Sequence, residues 1–339
     1  MRRFPGSNFP EFAALHFGIR SLRVSIADKL ARWPINQCFS NGPMLPLETV
    51  LTPNRIKHRY YWADADFRHA MEVIRGHWIC TDRIIHRLWN YAALILRPDA
   101  IAGGQSAAVL PMLRQHGFIP VAVKRVHVGA SRAEALWRYQ FNVATPERRS
   151  VLKHLMSMGD SVYLIVHDDT VRTSAPATVH LTYLKGTAVI ERRKPGHLRT
   201  VAGPAVANIF SYVHVSDDPA DVLREMAVLF DDFSIRALLA QIDSGVDRSA
   251  EVYAALRELQ SLVPKNALFH GVGASIDRAV DEEKWQIASE WRDLVERAKR
   301  VRNFMTGESY AGADATIPDD TGLSLPLDGH LVFAELGLR

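Results

Sequence analysis

The pattern of hydrophobic and polar positions is clearest between residues 208 and 230. The first part of this stretch, up to Val215, is rich in β-branched and aromatic residues and predicts a short strand. Beyond Pro219 the apolar residues recur at helical spacing, which predicts a helix. The polar residues 216–218 between the two supply a helix N-cap, and a proline suits the first turn that follows. His214 is therefore expected where a strand passes into a helix.

Three more strands are predicted upstream, and helical patterns separate them. The strands are Tyr91 to Leu96, Ile119 to Val128 with a bulge at Lys124 and Arg125, and Ser161 to His167. The helices are residues 64–79, one that opens after Gly104, one capped by Ser131 with Glu134 completing a capping box, one after Pro146, and residues 176–186. This alternation is typical of a ferredoxin-like α/β sandwich of the α+β type, with an antiparallel sheet.

The chain on either side of this unit has a different character. Residues 1–88 are broken by prolines and glycines, and we predict an N-terminal extension that packs on the middle domain. Beyond Asp232 the pattern predicts helices over residues 235–242, 250–262 and about 276–304, the last with a broad apolar stripe. The expected parts are the extension 1–88, the middle domain 89–232, a helical C-terminal region 233–308 and a loosely ordered tail 309–339.

Composition narrows the classes of partner. The chain has 339 residues, a formal net charge of +4 and a pI near 9.1, with the apolar and charged fractions of an ordinary globular protein. A mildly basic balance suits a protein that binds phosphorylated anions. No block of Lys and Arg is long enough to form a nucleic-acid-binding arm, so we expect no specific nucleic acid partner.

Cysteine usage and apolar runs bear on location. Cys38 and Cys80 are too few for a disulfide framework, which favours a reducing, cytoplasmic location. The basic start is followed by no sustained apolar stretch, and no run has membrane-spanning length, so we expect no membrane association. His77, Cys80 and His86 match no familiar metal motif, and core packing is the favoured interpretation.

His214 is the leading candidate for chemistry. Glu225 lies one turn into the following helix and is placed to reach back to the imidazole ring. An imidazole with one nitrogen held by a carboxylate and the other facing a cleft is suited to be a nucleophile or a proton carrier. The alternative is a structural histidine at a strand end, and this cluster alone does not exclude it.

Four short motifs stand out within residues 91–232. They are Leu96-Arg97-Pro98-Asp99-Ala100, Lys185-Gly186 followed by Lys194-Pro195-Gly196-His197-Leu198-Arg199, His214-Val215-Ser216-Asp217, and Glu225 with Phe230. They resemble motifs of the nucleoside diphosphate kinase family, which has Ile-Lys-Pro-Asp, a Gly followed by Pro-Gly-Thr-Ile-Arg, and His-Gly-Ser-Asp, with a glutamate that holds the active-site histidine. The matches occur in the family's order and on the expected elements, over less than half of the chain.

The resemblance implies ping-pong phosphoryl transfer through a phosphohistidine. His214 would be the nucleophile, and Glu225 and Ser216 would orient its ring. The positions that correspond to the family's nucleotide and phosphate contacts are Arg97, Tyr139, Arg199, Thr182 and Ser211. No metal site built by protein side chains is expected, and Mg²⁺ would arrive with ATP or another nucleoside triphosphate, near Asp217. The implied partners are a nucleotide, a small-molecule acceptor and further copies of the chain in a homo-oligomer.

Several family positions are changed. The family's second phosphate-binding arginine falls at Thr182, its threonine at Ala188, its asparagine at Ser211 and its glycine after the histidine at Val215. Loss of a guanidinium group from a phosphate site weakens transition-state stabilisation. Arg192, Arg193 and Arg148 are the candidates to supply the missing charge.

Three hypotheses follow for the activity. The first is a divergent, His214-dependent phosphotransferase that uses a nucleoside triphosphate. The second is another nucleotide-dependent transferase or ligase in which His214 acts as an acid or base. The third is a non-catalytic nucleotide sensor or scaffold whose C-terminal helices bind a partner. The glycine-containing segment 269–275 is a weaker candidate site, and a turn between helices is its favoured interpretation.

Overall fold

The computed structural model describes residues 47–141, 144–170, 175–264 and 282–301, with the short segments 316–317 and 325–326. The helices are α1 Leu47–Leu51, α2 Arg55–Ala63, α3 Ala65–His77, α4 Thr81–Asn90, α5 Pro98–Ala102, α6 Val109–Gln115, α7 Gly129–Leu136, α8 Arg138–Phe141, α9 Pro146–Ser157, α10 Ala177–Lys185, α11 Leu198–Val201, α12 Pro219–Leu229, α13 Asp232–Ser244, α14 Ser249–Ser261 and α15 Glu282–Arg300. The strands are β1 Tyr91–Leu96, β2 Phe118–Val126, β3 Ser161–Asp168, β4 Val213–Val215, β5 Thr316–Ile317 and β6 Leu325–Pro326. Residues 1–46, most of the predicted tail 309–339 and the segment 269–275 lie outside the described residues.

Strands β1 to β4 form one antiparallel sheet in the order β2-β3-β1-β4. Leu94 of β1 faces Leu164 of β3, and Ile95 faces His214 of β4. Helices lie between successive strands along the chain, and the first and third strands are neighbours at the centre of the sheet. This is the ferredoxin-like arrangement, so the predicted fold class is confirmed.

The centre of the sheet is covered on both faces. All six residues of β1 are buried, whereas a strand covered on one face would alternate between buried and exposed positions. Helices α10, α12 and α4 contact β1, and α14 contacts β3. None of the described helices is long and apolar enough to cross a lipid bilayer.

The bulge in β2 lies at a different residue from the one predicted. The register shifts between Pro120 and Ala122, whereas Lys124 and Arg125 pair regularly with β3. Proline has no N–H to donate to a ladder and is tolerated at bulges and on edge strands, and β2 is the edge of the sheet. The bulge therefore follows the proline and not the change of apolar parity.

Two further local predictions were wrong. Helix α7 begins at Gly129, so Ser131 lies inside its first turn, and Glu134 pairs with Lys153 at 2.9 Å instead of closing a capping box. The strand predicted up to Val215 contains only residues 213–215, because Tyr212 has a φ of 61° that interrupts extended backbone.

The predicted helix at residues 64–79 is confirmed as α3, with the Asp64 carboxylate accepting the Phe67 N–H at 3.1 Å as an N-cap. Helix α3 packs along α12, and α4 leads directly into β1. Helices from the N-terminal part of the chain therefore cover the helix that follows His214.

The free edge of the sheet is closed by the C-terminal helices. The Val123 N–H donates to the Gln241 side chain at 2.9 Å, and Arg248 donates to the carbonyls of Pro120 at 2.8 Å and Val121 at 3.1 Å. Helices α13 and α14 thus satisfy backbone groups that an edge strand would otherwise offer to another chain.

We predict that Arg248→Ala lowers the free energy of unfolding by about 1–3 kcal/mol, because the Val121 carbonyl loses a charged donor. Denaturant unfolding followed by circular dichroism measures the change. Arg257→Ala, at an exposed position of α14, the helix that Arg248 precedes, is the matched control. Equal unfolding midpoints for the two variants would contradict the proposed role of Arg248.

Candidate active site

The passage from β4 to α12 is built as the sequence predicts. Asp218 caps α12, since its carboxylate accepts the Asp221 N–H at 3.1 Å, and the Asp221 carboxylate accepts the Asp218 N–H at 3.3 Å. Glu225 lies four residues beyond Asp221, which places both carboxylates on one face of the helix. The helix therefore carries Glu225 back beside His214 on β4.

The structure brings His214, Glu225 and Ser216 together. His214 Nε2 lies 2.7 Å from Glu225 Oε1, and the Ser216 hydroxyl donates to Glu225 Oε2 at 2.6 Å. An ionised carboxylate only accepts hydrogen bonds, so Nε2 carries the proton and Nδ1 keeps its lone pair. The side chain of His214 is 15% exposed, whereas that of Glu225 is 6% exposed. The ring is thus held from the interior and open on one side.

Trp137 is part of the site, and the sequence analysis missed it. Its ring lies 5.5 Å from the His214 ring, centre to centre, at an interplanar angle of 86°. This edge-to-face contact restricts rotation of the imidazole. The sequence offered one indication of its role: Trp137 directly follows α7 and lies two residues before Tyr139, the aromatic residue that the resemblance had favoured.

Tyr139 is placed elsewhere. Its hydroxyl donates to the buried carboxylate of Asp64 at 2.7 Å, and its ring stacks on Tyr61 at 5.4 Å. The guanidinium of Arg224 lies 4.9 Å from the same ring. Tyr139 therefore belongs to a buried network between the N-terminal helices and α12, and the phosphate contact implied by the resemblance stays a prediction.

Three arginines bind the segment that precedes His214. Arg97 donates to the Ile209 carbonyl at 3.0 Å, Arg193 to the Phe210 carbonyl at 2.9 Å, and Arg199 to the Val213 carbonyl at 3.3 Å. Arg97 also donates to the Ser211 hydroxyl at 2.5 Å and to Asp99 at 3.1 Å. We call Arg97, Arg193 and Arg199 the arginine row.

The backbone of this segment is strained. Tyr212 has a left-handed φ of 61°, which is costly for a side chain other than glycine. Its N–H donates to Asp99 Oδ2 at 2.9 Å, and its carbonyl accepts the Arg97 N–H at 3.0 Å. The Arg97-Pro98-Asp99 motif therefore holds the turn that leads into His214.

The arginine row carries more positive charge than its surroundings neutralise. Burial, together with Arg97 and Arg193, lowers the pKa of Arg199 to about 9, although Asp217 acts in the opposite direction. Burial and Arg97 lower the pKa of Arg148, on α9, to about 10. Arg193 Nε and Nη1 are buried and have no hydrogen-bond partner among the described residues. A bound anion would relieve this repulsion and satisfy these donors.

Thr182 and Asp217 lie together on the other side of the loop after β4. The Thr182 hydroxyl is 3.3 Å from Asp217 Oδ1, and Lys185 Nζ is 3.0 Å from the same oxygen. Lys185 also donates to the Val215 carbonyl at 3.2 Å. The lysine at the end of α10 thus brings positive charge close to the position where the resemblance expects an arginine.

The described residues do not form a protein metal centre. They contain no group of three or more His, Cys, Asp or Glu side chains placed to hold a metal ion, and His77 instead binds Asp243 at 3.0 Å. Asp217 is a single carboxylate already paired with Lys185. Magnesium commonly keeps its waters and binds through substrate phosphates with few protein ligands. These residues are compatible with a hydrated Mg²⁺ ion that a nucleotide would carry.

Comparison with known proteins identifies the family. The family model for nucleoside diphosphate kinase matches residues 90–235. A nucleoside diphosphate kinase of Chloroflexus aurantiacus is 30% identical over 140 residues, which are 41% of this chain and 85% of that protein. The chain belongs to the nucleoside diphosphate kinase family. The match includes the arginine row, His214 and Glu225.

Other relatives of the family are larger or more distant. Thioredoxin domain-containing protein 6 of Xenopus laevis is 27% identical over 150 residues, and that of Mus musculus is 28% identical over 141 residues. The matches cover 43% and 41% of this chain but only 23% and 41% of those two proteins. Among solved structures, an NDP kinase from Pyrobaculum aerophilum aligns over 43% of this chain and 98% of that chain, with 20% identity and a TM-score of 0.34.

As a member of the nucleoside diphosphate kinase family, this chain keeps one part of the site and changes another. The histidine, its glutamate and the serine lie together, whereas Thr182 and Ser211 stand where the family has an arginine and an asparagine. Ser211 accepts a hydrogen bond from Arg97, so it supports a guanidinium instead of presenting an amide. Of the three arginines that could supply the missing charge, Arg193 and Arg148 lie near Arg199. The third, Arg192, is exposed.

We predict that the affinity for ADP falls by roughly tenfold between pH 8 and pH 10. Arg199 is charged below its pKa of about 9 and loses its charge as the pH rises through that value. The phosphates of ADP are already ionised in this range, so their charge does not change. Isothermal titration calorimetry at several pH values measures the affinity.

Arg199→Gln serves as the reference for this experiment. It should bind ADP more weakly at pH 8 and should show little further loss up to pH 10. If the wild-type protein and Arg199→Gln lose affinity with the same slope, the titrating group is not Arg199.

Proposed function

We propose that this chain transfers the γ-phosphoryl group of a nucleoside triphosphate to an acceptor through a phosphohistidine at His214. The observation that carries the proposal is the contact of 2.7 Å between His214 Nε2 and Glu225 Oε1. Because this contact uses Nε2, Nδ1 is the ring nitrogen that we assign as the nucleophile. A carboxylate on one ring nitrogen leaves the lone pair of the other nitrogen for attack and stabilises the positive charge that develops when the ring is phosphorylated.

The reaction proceeds in two displacements. In the first, the Nδ1 lone pair attacks the γ-phosphorus, the bond to the bridging oxygen breaks, and the nucleoside diphosphate leaves with the electron pair. The ring then bears the phosphoryl group on Nδ1 and a proton on Nε2, and Glu225 balances its charge. In the second, an acceptor oxygen attacks the phosphorus and the N–P bond breaks, which restores the neutral imidazole.

Arginines provide the electrostatic part of this proposal. Phosphoryl transfer depends mainly on in-line positioning and on cations around the transferred oxygens. The family's second phosphate-binding arginine is replaced by Thr182, and we assign its role to Arg193, whose Nε and Nη1 find no partner among the described residues. Arg148, Arg97 and Arg199 complete the positive surroundings.

Magnesium would enter with the nucleotide and would neutralise part of the phosphate charge. The side chains of Asp217 and Thr182 would bind water molecules of its hydration shell. The acceptor is a second nucleotide or a small metabolite that presents a nucleophilic oxygen. We also propose a cytoplasmic location, where nucleoside triphosphates are available.

We predict that incubation with γ-labelled ATP and Mg²⁺ labels the wild-type protein with an acid-labile, base-stable phosphate. His214→Asn should abolish the label, because it removes the nucleophilic nitrogen. His127→Asn, at an exposed histidine paired with Asp160, should keep it. Autoradiography after acid and base treatment provides the measurement.

The same experiment separates the alternative functions. Label that survives in His214→Asn moves the nucleophile to another residue. No label on the wild-type protein at saturating nucleotide rejects the phosphohistidine and favours His214 as an acid or base, provided that a different nucleotide-dependent product is found. Binding of ADP by calorimetry without turnover of any kind favours a nucleotide sensor.

We predict that Arg193→Gln lowers the second-order rate constant of phosphohistidine formation by about 100-fold or more. Arg192→Gln changes the adjacent, exposed arginine and should leave the rate within about twofold. Rapid-quench labelling over a range of ATP concentrations measures both. If the two variants lose equal activity, the guanidinium of Arg193 does not act on the phosphates.

A further inference from the structure

The N-terminal helices insert three polar side chains beneath the helix that carries Glu225. Lys57 and Tyr61 come from α2, and Asp64 lies between α2 and α3. All three are buried. We call Lys57, Tyr61 and Asp64 the extension clamp. They lie outside residues 90–235, the part of the chain that matches the family.

Lys57 and Tyr61 bind the two carboxylates that cap α12. Lys57 Nζ lies 2.8 Å from Asp218 and 2.6 Å from Asp221, and the Tyr61 hydroxyl donates to Asp221. Burial alone would lower the pKa of Lys57, but Asp218 and Asp221 raise it above its usual value, so the ammonium stays charged. A buried charge pair of this kind fixes geometry, since either partner alone would be unpaired in the interior.

Asp221 joins this contact to the residues beside His214. Its Oδ2 accepts the Asp217 N–H at 3.0 Å and the Asp218 N–H at 3.3 Å, and thereby fixes the loop that begins with Ser216. Glu225 lies one turn further along the same face of α12. The Asp221 carboxylate therefore sets the distance between this loop and α12. Glu225 spans the same gap, because it extends from α12 and binds both His214 and Ser216.

Asp64 is connected to the imidazole through Arg224 and Trp137. Its Oδ2 accepts hydrogen bonds from Arg224 Nε at 2.8 Å and from Tyr139 at 2.7 Å. Arg224 in turn donates to the carbonyls of Ala135 at 2.6 Å and Leu136 at 3.3 Å, at the end of α7. The next residue is Trp137, which packs against the His214 ring.

We propose that the extension clamp positions the His214 ring for attack, by setting Glu225 through Asp221 and Trp137 through Arg224. Lys57, Tyr61 and Asp64 are positioning residues, because none of them touches the imidazole. The expected effect on the rate of phosphohistidine formation rests on the proposed function. The orientation of the His214 ring can be measured without turnover.

Tyr61→Phe tests the proposal with the least disturbance, since it removes one hydroxyl and keeps the ring. The rate of phosphohistidine formation at saturating ATP should fall by about three- to tenfold, and the Kd for ADP should change by less than about twofold. Tyr253→Phe on α14 is the control and should leave both values unchanged. Loss of ADP affinity with an unchanged rate would overturn the proposal.

Lys57→Met tests the charge, and a second variant separates positioning from stability. The thermal midpoint of Lys57→Met should fall by several degrees, and the rate should fall by at least about tenfold at a temperature where circular dichroism shows it folded. Leu256→Ala removes buried volume from α14 and matches the loss of stability without contact with the clamp. Equal rates for Lys57→Met and Leu256→Ala would show that the clamp acts on stability alone and would overturn its positioning role.

Nuclear magnetic resonance of the His214 ring nitrogens gives the readout that does not depend on turnover. In the wild-type protein without nucleotide, a single tautomer with the proton on Nε2 is expected. In Tyr61→Phe and Lys57→Met a mixture of tautomers is expected, because Glu225 is less well placed. If the tautomer shifts in the variants but the wild-type protein is never phosphorylated, the clamp stands and the proposed function fails. An unchanged ring signal in both variants overturns the clamp.

Discussion

The carboxylate of Glu225 is the constraint on which the site depends. One oxygen accepts from the ring of His214 and the other from the hydroxyl of Ser216, so both the strand end and the following loop are tied to one side chain on α12. Because the carboxylate has no proton to give, it also decides which ring nitrogen is protonated. The fold thus fixes which nitrogen of the imidazole faces away from the carboxylate.

Charge distribution gives the second constraint. Arg193 and Arg199 donate to backbone carbonyls, which hold the two guanidinium groups in place without neutralising them. Burial, together with the nearby charges of Arg97 and Arg193, lowers the pKa of Arg199. Carbonyl contacts of this kind use part of each guanidinium fork and leave the remainder for a ligand. The left-handed backbone at Tyr212 is held by the Asp99 carboxylate and by the backbone N–H of Arg97, so one residue of the arginine row also supports the strained turn.

Local sequence patterns predicted those helices and strands whose own residues carry all the necessary signals. Strand β1 is an unbroken apolar run, and α12 has a cap, a proline and helical spacing, so both appear at the predicted residues. The position of the bulge and the length of β4 were predicted wrongly, since they depend on the proline at an edge and on a contact between Asp99 and Tyr212. Side chains 160 positions apart, such as Asp64 and Arg224, meet through tertiary packing that no local pattern encodes.

The parts of the chain outside the family match supply contacts that the middle part needs. The N-terminal helices bury the charges at the start of α12, and the C-terminal helices satisfy the backbone of β2 through Gln241 and Arg248. Removing the first set would leave Asp218 and Asp221 buried without their cation, which is more costly than never having formed the pair. Removing the second would expose a row of unpaired N–H and C=O groups. We therefore propose that residues 89–232 are not an independent folding unit, because the helix that carries Glu225 and the edge of the sheet are both completed from outside.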